Sequence, residues 1–264
     1  MNYANPFRRF VFRGDLYKRI KARLAHYERR VTKDEISDLG RLFRDENPKT
    51  VVDVGANVGF MTWQFTKLFR NAIVYALEPD PLPRRILEST HGGNPRVRIF
   101  PIAAADRDEE LAFVQRGVSC NSSLLEMATG ARGHMENTIR VQASTLDRFC
   151  AEHSITHIDL LKTDTEGADL LVLQGAKSML GQGAIDVVMA EVFFVPTYKG
   201  QATFDEIAGF LKTYGFAIFN LYIGRETPYG QACYGNAIFV GQRMQQALGK
   251  RPLKPRDGYS GRIQ

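Results

Sequence analysis

Ten residues constrain the fold more than any others: Val51-Val52-Asp53-Val54-Gly55-Ala56-Asn57-Val58-Gly59-Phe60, an apolar strand that runs into a glycine turn and then a helix. Glycines at 55 and 59 let the backbone turn tightly and approach a ligand with no Cβ in the way. Doubly wound sheets hold nucleotides on such units, at the carboxyl ends of their strands. A dinucleotide fingerprint needs glycine at 55, 57 and 60, but those positions hold Gly, Asn and Phe, which disfavours NAD. Asp53 at the strand end suits a cationic ligand better than a pyrophosphate.

The pattern around this unit alternates. Apolar runs predict strands at 50–54, 72–77, 97–102, 158–161, 185–190, 216–221 and 237–240, and helical spacing fills 82–89, 168–180 and 203–214. Strand-helix repetition of this kind argues an α/β fold with a mostly parallel sheet covered on both faces. Two short runs, 111–115 and 138–143, interrupt the rhythm around a polar loop. Before the first strand, Leu16, Ile20, Leu24, Tyr27 and Val31 mark an amphipathic helix. Thr32 and Glu35 form a capping box for a second helix that stops at Pro48. The expected organisation is a basic helical extension over 1–47, one catalytic domain over 48–241 and a basic irregular tail over 242–264.

Charge divides along the same lines. The net charge is +6 over 264 residues, but the first thirty carry nine Lys or Arg against two acids, net +7. Residues 241–264 carry six against one, net +5, which leaves −6 for the body. Basic ends invite a nucleic-acid or anionic-membrane partner, whereas the acidic body repels phosphates near the site and makes nucleic acid an unfavoured partner. Phe7, Phe10, Val11 and Phe12, ahead of the basic helix, would let residues 1–30 rest on an anionic membrane, although a helical cap packed on the domain is the favoured alternative. No apolar run approaches the ~20 residues of a membrane span and no signal-peptide core is visible. Three widely spaced cysteines, Cys120, Cys150 and Cys233, fit a reduced compartment. The expected location is therefore cytoplasmic, with peripheral contact to the inner membrane face left open.

Carboxylates cluster where the strands end. Glu78, after the second strand, is placed to accept hydrogen bonds from ribose hydroxyls. With Asp53 it points to S-adenosylmethionine, whose ammonium and sulfonium groups favour acidic surroundings. In Ile158-Asp159-Leu160-Leu161-Lys162-Thr163-Asp164-Thr165-Glu166-Gly167-Ala168-Asp169, an apolar strand delivers Asp164 and Glu166 onto a turn, and Asp169 reads as a helix-capping acid. Glu191, after the strand at 185–190, is placed to join them. Three carboxylates suit a hard divalent cation, but bonds to backbone or substrate hydroxyls are the favoured alternative for Glu191.

With these residues in view, the chain resembles the FkbM-type methyltransferases. The resemblance rests on Val52-Asp53-Val54-Gly55-Ala56-Asn57-Val58-Gly59, the segment from Ile158 to Gly167 and Val172-Leu173-Gln174-Gly175-Ala176. Glu78-Pro79, Ala104-Ala105-Asp106, Ser122-Ser123-Leu124 and Thr145-Leu146-Asp147 extend it, and together these cover roughly residues 48–240. Thr165 stands where the family is often apolar, and Asp169 where it usually has Glu. The resemblance implies a class I, Rossmann-like methyltransferase fold with a seven-stranded sheet, and O-methylation of a sugar, glycan or secondary-metabolite hydroxyl. It also implies that Asp53, Gly55, Asn57 and Gly59 surround the methionine part of the cofactor, Glu78 the ribose and Asp106 the adenine edge, with Asp164 and Glu166 where donor and acceptor meet.

Methyl transfer needs an acceptor oxygen aligned with the methyl group and a base for its proton. Asp164 is the expected base, oriented or shared by Glu166. Asn121, Ser122 and Ser123 form either a loop that closes over cofactor or acceptor or a flexible connector, with equal weight. Phe193, Phe194 and Tyr198 are placed either to stack on the acceptor or to pack beneath the next helix. His134 is a candidate lid base, although a solvent-facing loop histidine is the favoured alternative, while His26, His91, His153 and His157 read as structural. The rival readings are a nucleic-acid methyltransferase and a cofactor-binding module without activity.

Overall fold

The computed structural model describes residues 33–116, 122–128 and 137–250. The expected helix over 16–31, the aromatic cluster at 7–12, Thr32, Cys120, Asn121, His134 and residues 251–264 lie outside them.

Short apolar stretches with β-branched side chains make the centre of the sheet. The strands β1 (Thr50–Val54), β2 (Ile73–Leu77), β3 (Val97–Phe100), β7 (Ile158–Thr163) and β8 (Ile185–Phe193) are parallel, and β10 (Ala232–Val240) is antiparallel to both β8 and β9 (Ala217–Glu226). Their order is β3-β2-β1-β7-β8-β10-β9. The order reverses between β1 and β7, so the crevice of a doubly wound sheet lies above those two strands. β7 and β8 are buried along their whole length, as expected of strands covered on both faces.

Helices α1 (Lys33–Leu42), α2 (Phe60–Leu68), α3 (Pro81–His91), α4 (Leu146–Glu152), α5 (Asp169–Gln174), α6 (Lys177–Gly181), α7 (Phe204–Thr213) and α8 (Gln242–Gly249) cover the sheet. Apolar clusters sit on both faces. One joins Leu146, Phe149, Val172, Leu173, Ile207 and Leu211 to the sheet; the other joins Leu39, Leu42, Phe43, Phe65 and Met244 to it. α1 thus packs within the domain's own core. Its buried Glu35 and Asp38 reach across to β10 and β9, where Asn236 Nδ2 donates to Glu35 at 3.1 Å and Asn220 Nδ2 to Asp38 at 2.8 Å.

Four details differ from the sequence expectation. The helix expected over 168–180 is broken into α5 and α6 at Gly175, where a Cβ would collide with the Ala105 carbonyl. α6 then takes its cap from a distance: Asp147 accepts from Ser178 N at 2.8 Å and Met179 N at 2.9 Å. α4, with Thr145 as its N-cap, was not expected at all. The segment read as an irregular tail from 242 opens with α8, whose Met244 is buried. The two interrupting runs are the antiparallel pair β5 (Glu110–Gln115) and β6 (Asn137–Ser144), joined through β4 (Ala103–Ala104) into a small second sheet. Among the described residues no helix is long and apolar enough to cross a membrane.

Candidate active site

The carboxyl ends of β1, β2 and β7 converge on one another through the backbone. Gly55 N and Ala56 N donate to the Leu77 carbonyl at 3.0 and 3.1 Å, and Asp164 N donates to Val54 O at 3.2 Å. Gly55 has φ +71°, and a Cβ on it would collide with the Asp164 carbonyl, so only glycine fits there. Asn57 (φ 51°) and Glu166 (φ 53°) also occupy the left-handed region. Such backbone is rare outside glycine, and it recurs at binding turns.

Above these ends lies a cleft, partly open to solvent, lined by Val54, Gly55, Asn57, Glu78, Asp164 and Glu166 among others. Glu78 is 4% exposed. Its Oε2 accepts from Asn57 N at 2.7 Å and its Oε1 from Asp80 N at 2.8 Å. Burial raises its pKa to about 7, against the pull of these two backbone donors. Each oxygen keeps a lone pair for a further donor, which is what a diol supplies.

Sequence reasoning quoted Lys162 but gave it no role. Its buried ammonium lies 3.3 Å from Asp53 Oδ1 and 3.5 Å from Asp164 Oδ2, and it donates to Gly55 O at 3.1 Å. Burial disfavours its charge, but the two carboxylates outweigh that and push its pKa upward. Asp53 is wholly buried, takes Thr62 Oγ1 at 2.6 Å on its other oxygen and does not line the cleft. Where the sequence reading had it face a cationic ligand, it bonds to Thr62 and Lys162. A signal for this was present: a lysine amid the apolar residues of a buried strand needs a carboxylate partner.

Gly59 also stands away from the cleft; a Cβ there would meet Leu87 and His91 beneath α3. Asp106 does not line the cleft either, and its Oδ1 is buried without a hydrogen-bond partner among the described residues.

On the other side of Gly55, carboxylate oxygens of Asp164, Glu166 and Glu191 all lie within 4.8 Å of one another. Glu191 stands inside β8 rather than after it, because that strand runs three residues further than expected. Tyr198 is buried and its hydroxyl donates to Glu166 Oε2 at 2.6 Å. Burial and the Glu166 charge push the Tyr198 pKa upward, so it stays a donor. Phe194 packs on Phe204, with centroids 5.5 Å apart. Ser123 Oγ donates to Glu166 O at 2.8 Å and to Thr165 O at 3.2 Å, clamping the left-handed turn, while Ser122 lines the cleft. Asp169 does not occupy the N-cap, which is Ala168. It is buried beside Asp164, accepts from Thr165 N at 3.4 Å, and has its pKa raised to about 6 chiefly by burial.

At the opposite, amino ends of β7 and β8, His157, Asp159 and Asp186 form a second group of that type. They are engaged within the protein: His157 Nε2 lies 2.8 Å from Asp186, Arg243 pairs with Asp186, and Asp159 Oδ2 accepts from Lys49 N and Thr50 N. This network ties α8 to the sheet.

A sheet with this strand order and a cleft of carboxylates over its switch point define a class I, Rossmann-like methyltransferase fold. Residues 53–218 match the methyltransferase FkbM domain, and the chain belongs to that family. It is similar to the 2-O-methyltransferase NoeI of Sinorhizobium fredii, 25% identical over 181 residues that make up 64% of this chain and 74% of that one. It is also similar to the AMB antimetabolite synthetase AmbE of Pseudomonas aeruginosa, 28% identical over 204 residues, where the match spans 64% of this chain but 9% of AmbE. Among solved structures, M. capricolum TrmK in complex with S-adenosylhomocysteine superposes with a TM-score of 0.45 at 10% identity, covering 80% of this chain and 69% of that one.

The residues present fit S-adenosylmethionine. Glu78 offers two anchored acceptors for a ribose diol, Gly55 and Asn57 bring backbone close to the cleft, and the carboxylates beside them favour a cationic ligand. Bound there, the cofactor supplies a methyl group already activated by sulfonium.

Proposed function

We propose that the chain is an S-adenosylmethionine-dependent O-methyltransferase acting on a hydroxyl of a sugar, glycan or secondary metabolite. The observation that carries this reading is the carboxylate trio Asp164, Glu166 and Glu191, of which Asp164 and Glu166 line the cleft together with Glu78 and Gly55. A hydroxyl is a weak nucleophile, and a positioned carboxylate that takes its proton contributes roughly 10²–10⁴-fold. Asp164, 16% exposed at its side chain, is the most open of the three and is assigned as that base. Glu166, fixed by Tyr198 on one side and by the clamped backbone on the other, orients the acceptor hydroxyl. Glu191 accepts from a second hydroxyl, so an acceptor with neighbouring hydroxyls fits best.

The Lys162 ammonium beside Asp164 and the Tyr198 hydroxyl on Glu166 already satisfy part of the charge that a cation would neutralise. We therefore take the reaction to need no divalent metal, and exhaustive chelation leaves turnover within twofold; abolished turnover restored by Mg²⁺ or Ca²⁺ would reverse that assignment. Replacing Asp164 by Asn tests the base. Lys162 keeps Asp53 as partner in that variant, so the fold and cofactor affinity persist while kcat falls by about 10²-fold or more.

A further inference from the structure

Asp80, the N-cap of α3, lines the same cleft two residues beyond Glu78. It is 1% exposed. Its two oxygens are in different situations. Oδ1 accepts from Leu82 N at 3.0 Å and from Gln115 Nε2 at 2.7 Å. Oδ2 is buried and has no hydrogen-bond partner among the described residues. An unsatisfied buried acceptor is destabilising, and the helix cap does not require it, since Oδ1 alone accepts from Leu82 N.

Gln115 cannot exchange its amide ends to relieve this. Its Oε1 accepts from Asn137 Nδ2 at 3.1 Å, which holds Nε2 toward Asp80. A relay from β6 through β5 therefore fixes which oxygen of Asp80 is occupied and which is left over. Besides its polar residues, the cleft that Asp80 lines has an apolar set, Pro79, Pro83, Ile102, Phe113 and Leu124. Apolar walls with one buried acceptor form a slot for a flat heterocycle that carries a hydrogen-bond donor on its edge.

We infer that Asp80 Oδ2 accepts a hydrogen bond from the exocyclic amino group of the cofactor's adenine, and so makes Asp80, rather than Asp106, the residue that selects a 6-amino over a 6-keto purine. The inference rests on the cofactor reading above. Adenine presents an amino donor at C6 and hypoxanthine a carbonyl. A carbonyl facing Asp80 sets acceptor against acceptor, and a site built to bond one edge rejects its unpaired analogue strongly.

The relay makes Asp80→Asn an informative variant. Leu82 N and Gln115 Nε2 both donate to the Oδ1 position, so the amide oxygen must remain there and the amide NH₂ takes the place of Oδ2. The slot then presents a donor instead of an acceptor with nearly unchanged shape. Any change in the nearby Glu78 affects both ligands through the shared ribose and cancels in their ratio.

The test is calorimetric titration of the full chain with S-adenosylhomocysteine and S-inosylhomocysteine, with thermal unfolding as the folding control. The wild type is expected to bind the adenosyl ligand about 100-fold or more tightly than the inosyl ligand, and Asp80→Asn to lower that ratio by about 100-fold. Equal binding of the two ligands by the wild type overturns the inference without any variant. Discrimination that survives in Asp80→Asn, or that moves in Asp106→Asn instead, also overturns it. Failure of the wild type to bind either ligand overturns the cofactor reading itself and this assignment with it.

Discussion

At the residue scale, two buried charges set the chemistry of the cleft. Glu78, raised by burial to a pKa of about 7, holds its proton in the empty cleft below that pH, whereas two ribose hydroxyls need its ionised form as acceptor. Cofactor binding therefore releases a proton and tightens by about tenfold between pH 6 and pH 8, and Glu78→Gln flattens that dependence. Calorimetry of S-adenosylhomocysteine binding across this range, in buffers of different ionisation enthalpy, checks both the slope and the proton release. Lys162 was the part of the site least legible in the sequence. The strand that carries it ends at 161 when only apolar residues are counted, yet β7 runs to Thr163 with Lys162 paired to two carboxylates. One of them is Asp53, which thereby has a partner inside the protein; its role toward the cofactor stays a proposal. Glu78, Asp164 and Glu166 were legible because a strand's carboxyl end fixes where its next residues point. Tyr198 and Ser123 approach Glu166 from loops, and no local spacing encodes such contacts.

At the element scale, the central strands announce themselves as short apolar runs, and β1 matches its expectation residue for residue. What stayed hidden depends on partners distant in sequence. The break between α5 and α6 falls at Gly175, where the Ala105 carbonyl leaves no room for a Cβ, and the cap of α6 comes from Asp147, thirty-one residues before Ser178. Asp147→Ala strips the first donors of α6 of their acceptor and is expected to cost about 1 kcal/mol. Urea unfolding reads this as a lower midpoint at unchanged slope; an unchanged midpoint would mean that the cap is dispensable. β5, β6 and the strap that carries Ser123 were visible only as an interruption. In the structure they form a wall of the cleft, through Phe113, Ser122 and Leu124.

At the scale of the whole molecule, the net charge of +6 conceals an acidic catalytic body, consistent with a cationic methyl donor. For the basic segment over 1–30 a helical cap packed on the domain is the favoured proposal and a membrane contact its rival; liposome sedimentation with and without those residues decides between them. α1 belongs with the body: Leu39, Leu42 and Phe43 are buried against the sheet. Burying three such side chains contributes roughly 6 kcal/mol, comparable with the whole stability of a typical domain. A chain that begins at residue 48 is therefore expected to lose its cooperative thermal transition, and retention of a near-native Tm would contradict the packing role given to α1. The central claim, a carboxylate at the end of β7 that accepts a hydroxyl proton during methyl transfer, is tested most directly by one comparison. Transfer of labelled methyl from S-adenosylmethionine to a glycan extract is measured for wild type and Asp164→Asn, with S-adenosylhomocysteine affinity measured alongside. Methylated oxygen is expected in the wild-type product, with a fall in turnover of about 10²-fold or more in the variant and unchanged affinity; wild-type turnover by Asp164→Asn would contradict the role given to that carboxylate.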